Sequence, residues 1–160
     1  MEKRKVTDLE IGNKAPSFNL PSDNEGQISL DDFKGKKIVL YFYPKDDTPG
    51  CTKESCSFNQ NLTQLNELNV KVVGVSKCSV KKHNKFKDKY DLKFPLLSDE
   101  NDDMCERYSV WKEKSMFGKK YMGIERSTFL IDEDGKILKI WRNVKVAGHV
   151  EDVTDAITSK

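Results

Sequence analysis

Long apolar runs, a dominant charge and closely paired cysteines are all missing from this chain, and each absence excludes something. No stretch of about 18 apolar residues occurs, so no membrane-spanning helix is expected. Lys and Arg number 28 against 26 Asp and Glu, and a net charge of +2 is too small to argue for nucleic acid or an anionic membrane. Four cysteines in 160 residues do not make a disulfide scaffold. None of them falls in Cys-x-x-Cys, the usual spacing of a dithiol oxidoreductase. Neither Gly-x-Gly-x-x-Gly nor Gly-x-x-x-x-Gly-Lys-Ser/Thr is present, so nucleotide binding is not suggested. The stretch Met1–Asp8 is charged, with no apolar segment behind it, and the expected location is the cytoplasm.

What is present reads as α/β. One domain spanning 1–160 is expected, without internal repeat, low-complexity tract or linker. Phe18-x-Leu20 and Ile28-x-Leu30 flank a turn at Asp23-Asn24-Glu25-Gly26, giving an N-terminal hairpin. The apolar run at 36–43 reads as a buried strand and 50–68 as a helix, with Phe58, Leu62, Leu65 and Leu68 on one face. A second strand covers 70–75 and a helix 79–90, with a short helix near 102–108. Strands at 128–131 and 137–141 around Asp134-Gly135 make a second hairpin, followed by a helix at 150–157.

Cys51 is placed for reactivity. Pro49-Gly50 lies at the junction of the first long strand and helix, so Cys51 enters the first turn, beside unpaired N–H groups and the positive end of the helix dipole. Both favour the nucleophilic thiolate. The competing reading is a small buried apolar residue, since Cys51 shares a helix face with Phe58, Leu62 and Leu65.

Pro44, Thr48 and Cys51 match Pro-x-x-x-Thr-x-x-Cys, and here the chain resembles the peroxiredoxins, thiol enzymes that reduce hydroperoxides. The likeness continues through Ala15-Pro16-x-Phe18-x-Leu20, Phe94–Asp99, Tyr108-x-Val110-Trp111 and Gly123–Asp132, nearly the whole chain. With Cys51 and Cys56 spaced as Cys-x-x-x-x-Cys, it looks like the bacterioferritin comigratory protein, or peroxiredoxin Q, branch. The resemblance implies a thioredoxin-like fold, with a central mixed sheet, flanking helices and an N-terminal hairpin extension. It implies hydroperoxide substrates, thioredoxin or a similar thiol reductant, no cofactor or metal, and a monomer or weak homodimer.

It also implies roles. Cys51 would be the peroxidatic thiol and Cys56 the resolving one, on a polar face with Asn59, Gln60 and Thr63. Lowering a thiol pKa by two or three units takes about 3–4 kcal/mol, whereas a helix end contributes about 0.3–1 and at most about 2. A cation is therefore needed, and the resemblance names Arg126; without it, Arg126 reads as an ordinary surface residue. Thr48 would cap the helix or hold the peroxide, and Pro44 would shield the pocket or simply end the strand.

Other residues remain open. Glu54 reads as a solvated helix glutamate and His83 as structural or exposed. Cys78 stands where relatives more usually carry an acid, leaving resolution through Cys78, or a one-cysteine mechanism, as alternatives. Cys105 reads as packing. Lys81, Lys82, Lys85, Lys87 and Lys89 resemble a basic patch, but Asn84 and Asp88 between them favour a solvated face. A zinc module built from Cys51, Cys56, Cys78 and His83 is the rival class, although its spacings are loose and it leaves Pro44, Thr48 and Arg126 unused.

Overall fold

The apolar run expected at 36–43 forms strand β3 (Lys37–Phe42), and its two-residue period divides the interior into two layers. Ile38, Leu40 and Phe42 face one core, Val39, Tyr41 and Tyr43 the other, and all six are buried. Burying side chains of this size contributes about 1.5–3 kcal/mol each. The structure, a computed structural model, describes residues 9–23 and 26–158. The sequence readings on Met1–Asp8 and on turn residues Asn24 and Glu25 lie outside them.

In chain order, β1 (Asn19–Ser22) and β2 (Gly26–Ser29) form the N-terminal antiparallel pair, and a single 3-10 turn (Leu30–Phe33) leads into β3. Helices α1 (Pro49–Gln60) and α2 (Leu62–Glu67) follow, then β4 (Val70–Ser76), α3 (Val80–Tyr90), β5 (Leu96–Ser98) and α4 (Met104–Arg107). The chain closes with β6 (Trp111–Met116), β7 (Lys119–Ile124), β8 (Ser127–Ile131), β9 (Ile137–Trp141) and α5 (His149–Thr158). The main sheet runs β2-β1-β5-β4-β3-β8-β9. Strand β3 pairs parallel with β4 and antiparallel with β8, and β4 pairs parallel with β5, so the sheet is mixed. Residues of α1, α2, α3 and α5 pack on the Tyr41 face, while α4 and Tyr108 cover the Phe42 face. Among the described residues no helix is long and apolar enough to cross a membrane.

Two features depart from the sequence expectation. The helix expected over 50–68 is broken at Asn61 (φ −101°, ψ 6°), whose side-chain amide donates to the Ser57 carbonyl at 2.8 Å. An asparagine side chain competing for backbone partners interrupts a helix readily. Leu62 and Leu65 stay buried, whereas Leu68, the residue that caps the end of α2, is 42% exposed. The second departure is the β6–β7 ribbon, which stands apart from the main sheet and was not expected. Its turn places Phe117 (φ 53°) and Gly118 (φ 78°) both in the left-handed region. A hairpin of that type normally announces itself with Asn-Gly, and phenylalanine carries no such signal.

Candidate active site

Strand β3 delivers the chain to a short loop, 44–48, that turns into α1. Thr48 is extended (φ −94°, ψ 155°), Pro49 takes the first helical position, and the first helical hydrogen bond runs from the Thr52 N–H to the Thr48 carbonyl at 2.8 Å. The Cys51 N–H therefore belongs to the turn whose amides have no acceptor within the helix. The Cys51 thiol is 1% exposed, packed with Tyr41, Phe58 and Val150 on one side of the sheet. Burial and helix-end placement, which the sequence left as competing readings, thus coincide in one residue.

Arg126 comes from the segment just before β8, and that strand's pairing with β3 carries it to the start of α1. Its Nη2 donates to Cys51 Sγ at 3.3 Å and its Nη1 to Glu54 Oε1 at 2.6 Å. Glu54 is fully buried, not the solvated helix glutamate expected. The reason is helical phase: three residues beyond Cys51 and four before Phe58, it shares their inward face. Burial pushes its carboxyl up to about 7, against the pull of Arg126. Its Oε2 has no hydrogen-bond partner among the described residues.

Thr48 does not cap the helix through its side chain. Its hydroxyl donates instead to the Lys45 carbonyl at 2.9 Å, closing the loop on itself and leaving the oxygen lone pairs free to accept. Pro44, half-buried, lines a cleft of about 280 Å³ with Lys45, Lys77, Cys78, Ser79, Lys82 and Glu100. Cys56, also half-buried, sits further along α1, and burial pushes its thiol up. Cys78 is half-buried, and its sulfur accepts the Asp46 N–H at 3.4 Å. Cys105 is fully buried, and burial followed by the nearby Asp99 carboxylate pushes its thiol far up, an inert state.

The sequence reading missed Lys114. It lies on β6, and its stem crosses Gly123, where an added Cβ would approach Lys114 Cδ to 3.2 Å. Its ammonium is held below the ordinary lysine range by burial and by Arg126, while Cys51 acts in the opposite direction. His83 proves to be buried, its ring bonded to Asp46 and to the Leu97 carbonyl. Among the described residues no three metal-ligating side chains gather, so Cys51, Cys56, Cys78 and His83 do not form a cluster. On α3, Lys81, Lys82, Lys85 and Lys89 are exposed and Lys87 is half-buried; Lys87 pairs with Asp23 and Lys89 with Asp47.

The chain matches the AhpC/TSA family over residues 11–140. It is 59% identical over 145 residues to a putative peroxiredoxin bcp of Coxiella burnetii, covering 91% of this chain and 96% of that one. To peroxiredoxin Bcp of Bacillus subtilis it is 51% identical over 149 residues, covering 93% and 95%. A solved PrxQ mutant of Xylella fastidiosa superposes with a TM-score of 0.90 at 39% identity, over 96% of this chain and 98% of that one.

Proposed function

The chain belongs to the AhpC/TSA family and is a peroxiredoxin of the Bcp, or peroxiredoxin Q, type, a thiol peroxidase; from that premise we propose that Cys51 is its peroxidatic thiol. The observation that carries this is the convergence of the α1 N-terminus and the Arg126 guanidinium on one buried sulfur. The Cys51 thiolate attacks one peroxide oxygen; an S–O bond forms, the O–O bond breaks, and the departing oxygen takes a proton to leave as water or an alcohol. Cys51 is left as sulfenic acid. Arg126 and the Cys51 N–H supply donors along that path, where fixed dipoles stabilise developing charge, and the Thr48 hydroxyl, its hydrogen held by the Lys45 carbonyl, accepts the peroxide's own hydrogen. Pro44, lacking an N–H, limits water near it.

Cys56 then condenses with the sulfenic acid, releasing water and forming a Cys51–Cys56 disulfide that thioredoxin or a similar dithiol reduces. In the intact helix this bond is out of reach. Five residues of α-helix rise about 7.5 Å and rotate about 140°, setting the two Cα atoms roughly 8–9 Å apart, and a disulfide accepts about 7 Å at most. Helix α1 runs unbroken through both cysteines, so its first turns unwind for the bond to close. We place the reaction in one domain of residues 1–160, acting as a monomer or weak homodimer. The test is peroxide reduction coupled to a thioredoxin system, run on the wild type and each Cys→Ser variant. Cys51→Ser should be inactive and folded; turnover above a trace would remove Cys51 from the nucleophile's role.

A further inference from the structure

Loop 44–48 is held from outside by α3, through two consecutive side chains. Asp46, buried, receives the Tyr43 hydroxyl on Oδ1 at 2.5 Å and faces His83 Nδ1 with Oδ2 at 2.6 Å. The other His83 nitrogen lies 2.8 Å from the Leu97 carbonyl. A carbonyl only accepts, so Nε2 carries a hydrogen, and one further proton lies between Nδ1 and the Asp46 carboxyl. The next residue, Asp47, is left-handed (φ 58°), which turns its carboxylate to Lys89 Nζ at 2.9 Å and the Tyr90 hydroxyl at 2.8 Å. The Asp46 N–H is held as well, by Cys78 Sγ.

An interior ionisable pair of this kind is a weak source of stability, since apolar replacements often do as well, but it fixes direction. The direction fixed here is that of the loop. Thr48 bonds back to Lys45, so residues 45–48 move as one closed unit, and a shift at Asp46 reaches the Thr48 hydroxyl. We propose that Asp46 and His83 are positioning residues for peroxide reduction, a clamp by which α3 sets the loop bearing Pro44 and Thr48 against the Cys51 sulfur. This rests on the reading of Cys51 and that loop given above. It separates two tasks: Arg126 and the helix end tune the sulfur, while the clamp on α3 aims the loop that receives the peroxide.

The separation is testable. Asp46→Asn is close in shape, and His83→Gln retains a donor for the Leu97 carbonyl. Both variants should react with hydrogen peroxide at least about tenfold more slowly (about 1.4 kcal/mol). Their rate of Cys51 alkylation by iodoacetamide against pH should keep the wild-type midpoint, because Arg126 is untouched. The double variant should lose little more than either single one, since both remove the same contact. Wild-type peroxide rates in both variants overturn the clamp. So does an equal loss in alkylation, which would mark a general loosening of the fold. Cys51→Ser, run alongside, keeps the two failures apart: an inactive Cys51→Ser with unimpaired clamp variants removes the clamp alone, whereas an active one removes the peroxidatic reading itself.

Discussion

A side chain at Gly50 would set its Cβ 3.3 Å from Arg126 Nη2, closer than two such groups ordinarily rest. The bare α-carbon at the second helical position is therefore the space through which the guanidinium reaches Cys51. Gly50→Ala should displace Arg126 by a few tenths of an ångström and lengthen its contact with the sulfur. The expected cost is a severalfold slower reaction with peroxide, well short of losing the arginine. Stopped-flow rates for Gly50→Ala equal to wild type would show that Arg126 can yield without consequence.

Arg126→Lys keeps the charge but not the two-armed geometry that serves Cys51 and Glu54 together. The variant should lose on the order of 10²-fold or more in peroxide reactivity, and its alkylation midpoint should rise. An unchanged midpoint would leave Arg126 a role with the peroxide but not with the thiolate.

Glu54 and Cys51 compete for one guanidinium, so neutralising the carboxylate should release Arg126 to the sulfur. Glu54→Gln is expected to lower the alkylation midpoint of Cys51. Stability carries a second sign. The folded-state value of about 7 lies above the ordinary 4.5, so the folded protein holds a proton that the unfolded chain has released. Between those values wild-type stability falls as pH rises, by at most about 1.4 kcal/mol per unit from this group. Urea denaturation at pH 5 and 7.5 should show Glu54→Gln gaining on the wild type at the higher pH. Parallel behaviour would mean Glu54 is ionised throughout.

His149 works in the opposite direction. Burial lowers it from 6.5 to about 4, and its Nε2 lies 2.7 Å from the Thr128 hydroxyl. As pH falls through that window the unfolded chain takes up a proton that the folded protein refuses, and stability is lost. His149→Gln should flatten the acid side of the stability profile between pH 6.5 and 4. A slope identical to wild type would assign the acid loss elsewhere.

Treatment with one equivalent of peroxide, followed by thiol mapping by mass spectrometry, should join Cys51 to Cys56. Amide exchange in residues 50–56 should rise in the oxidised form and return on reduction. A Cys51–Cys78 link, or sulfenic acid persisting beside a free Cys56, would pass resolution to Cys78 or to an external thiol.

Much of this architecture was legible because its signals are local. Strands β3, β4, β8 and β9 are apolar runs bounded by turns, and Cys51 is marked by the Pro-Gly before it. Glu54 was legible too, through its spacing from Cys51 and Phe58, but the general habit of glutamate prevailed over phase. Burial of His83 follows the same logic, three residues before the buried Phe86. Lys114 could not be read at all. Its relation to Cys51 depends on a ribbon whose strands are largely polar and whose turn breaks the usual residue preference. The pairing of Arg126 with Cys51, 75 residues apart, is likewise a product of sheet topology and came only through resemblance.

The interruption at Asn61 would work as a firebreak under the unwinding proposed for α1. Beyond the two cysteines, α1 is fastened by Phe58 in the core and by Asn59, which donates to the Asp91 carbonyl and accepts the Lys93 N–H, both at 2.9 Å. A single rigid rod through 68 would make every residue share in the melting of its first turns. Split as it is, the chain would confine the proposed melting to residues 49–57 and surrender chiefly the Tyr41–Ser55 hydrogen bond and the Arg126 contacts. The anchored remainder would keep its place in the core, a ready template on which the lost turns rewind once the proposed disulfide is reduced.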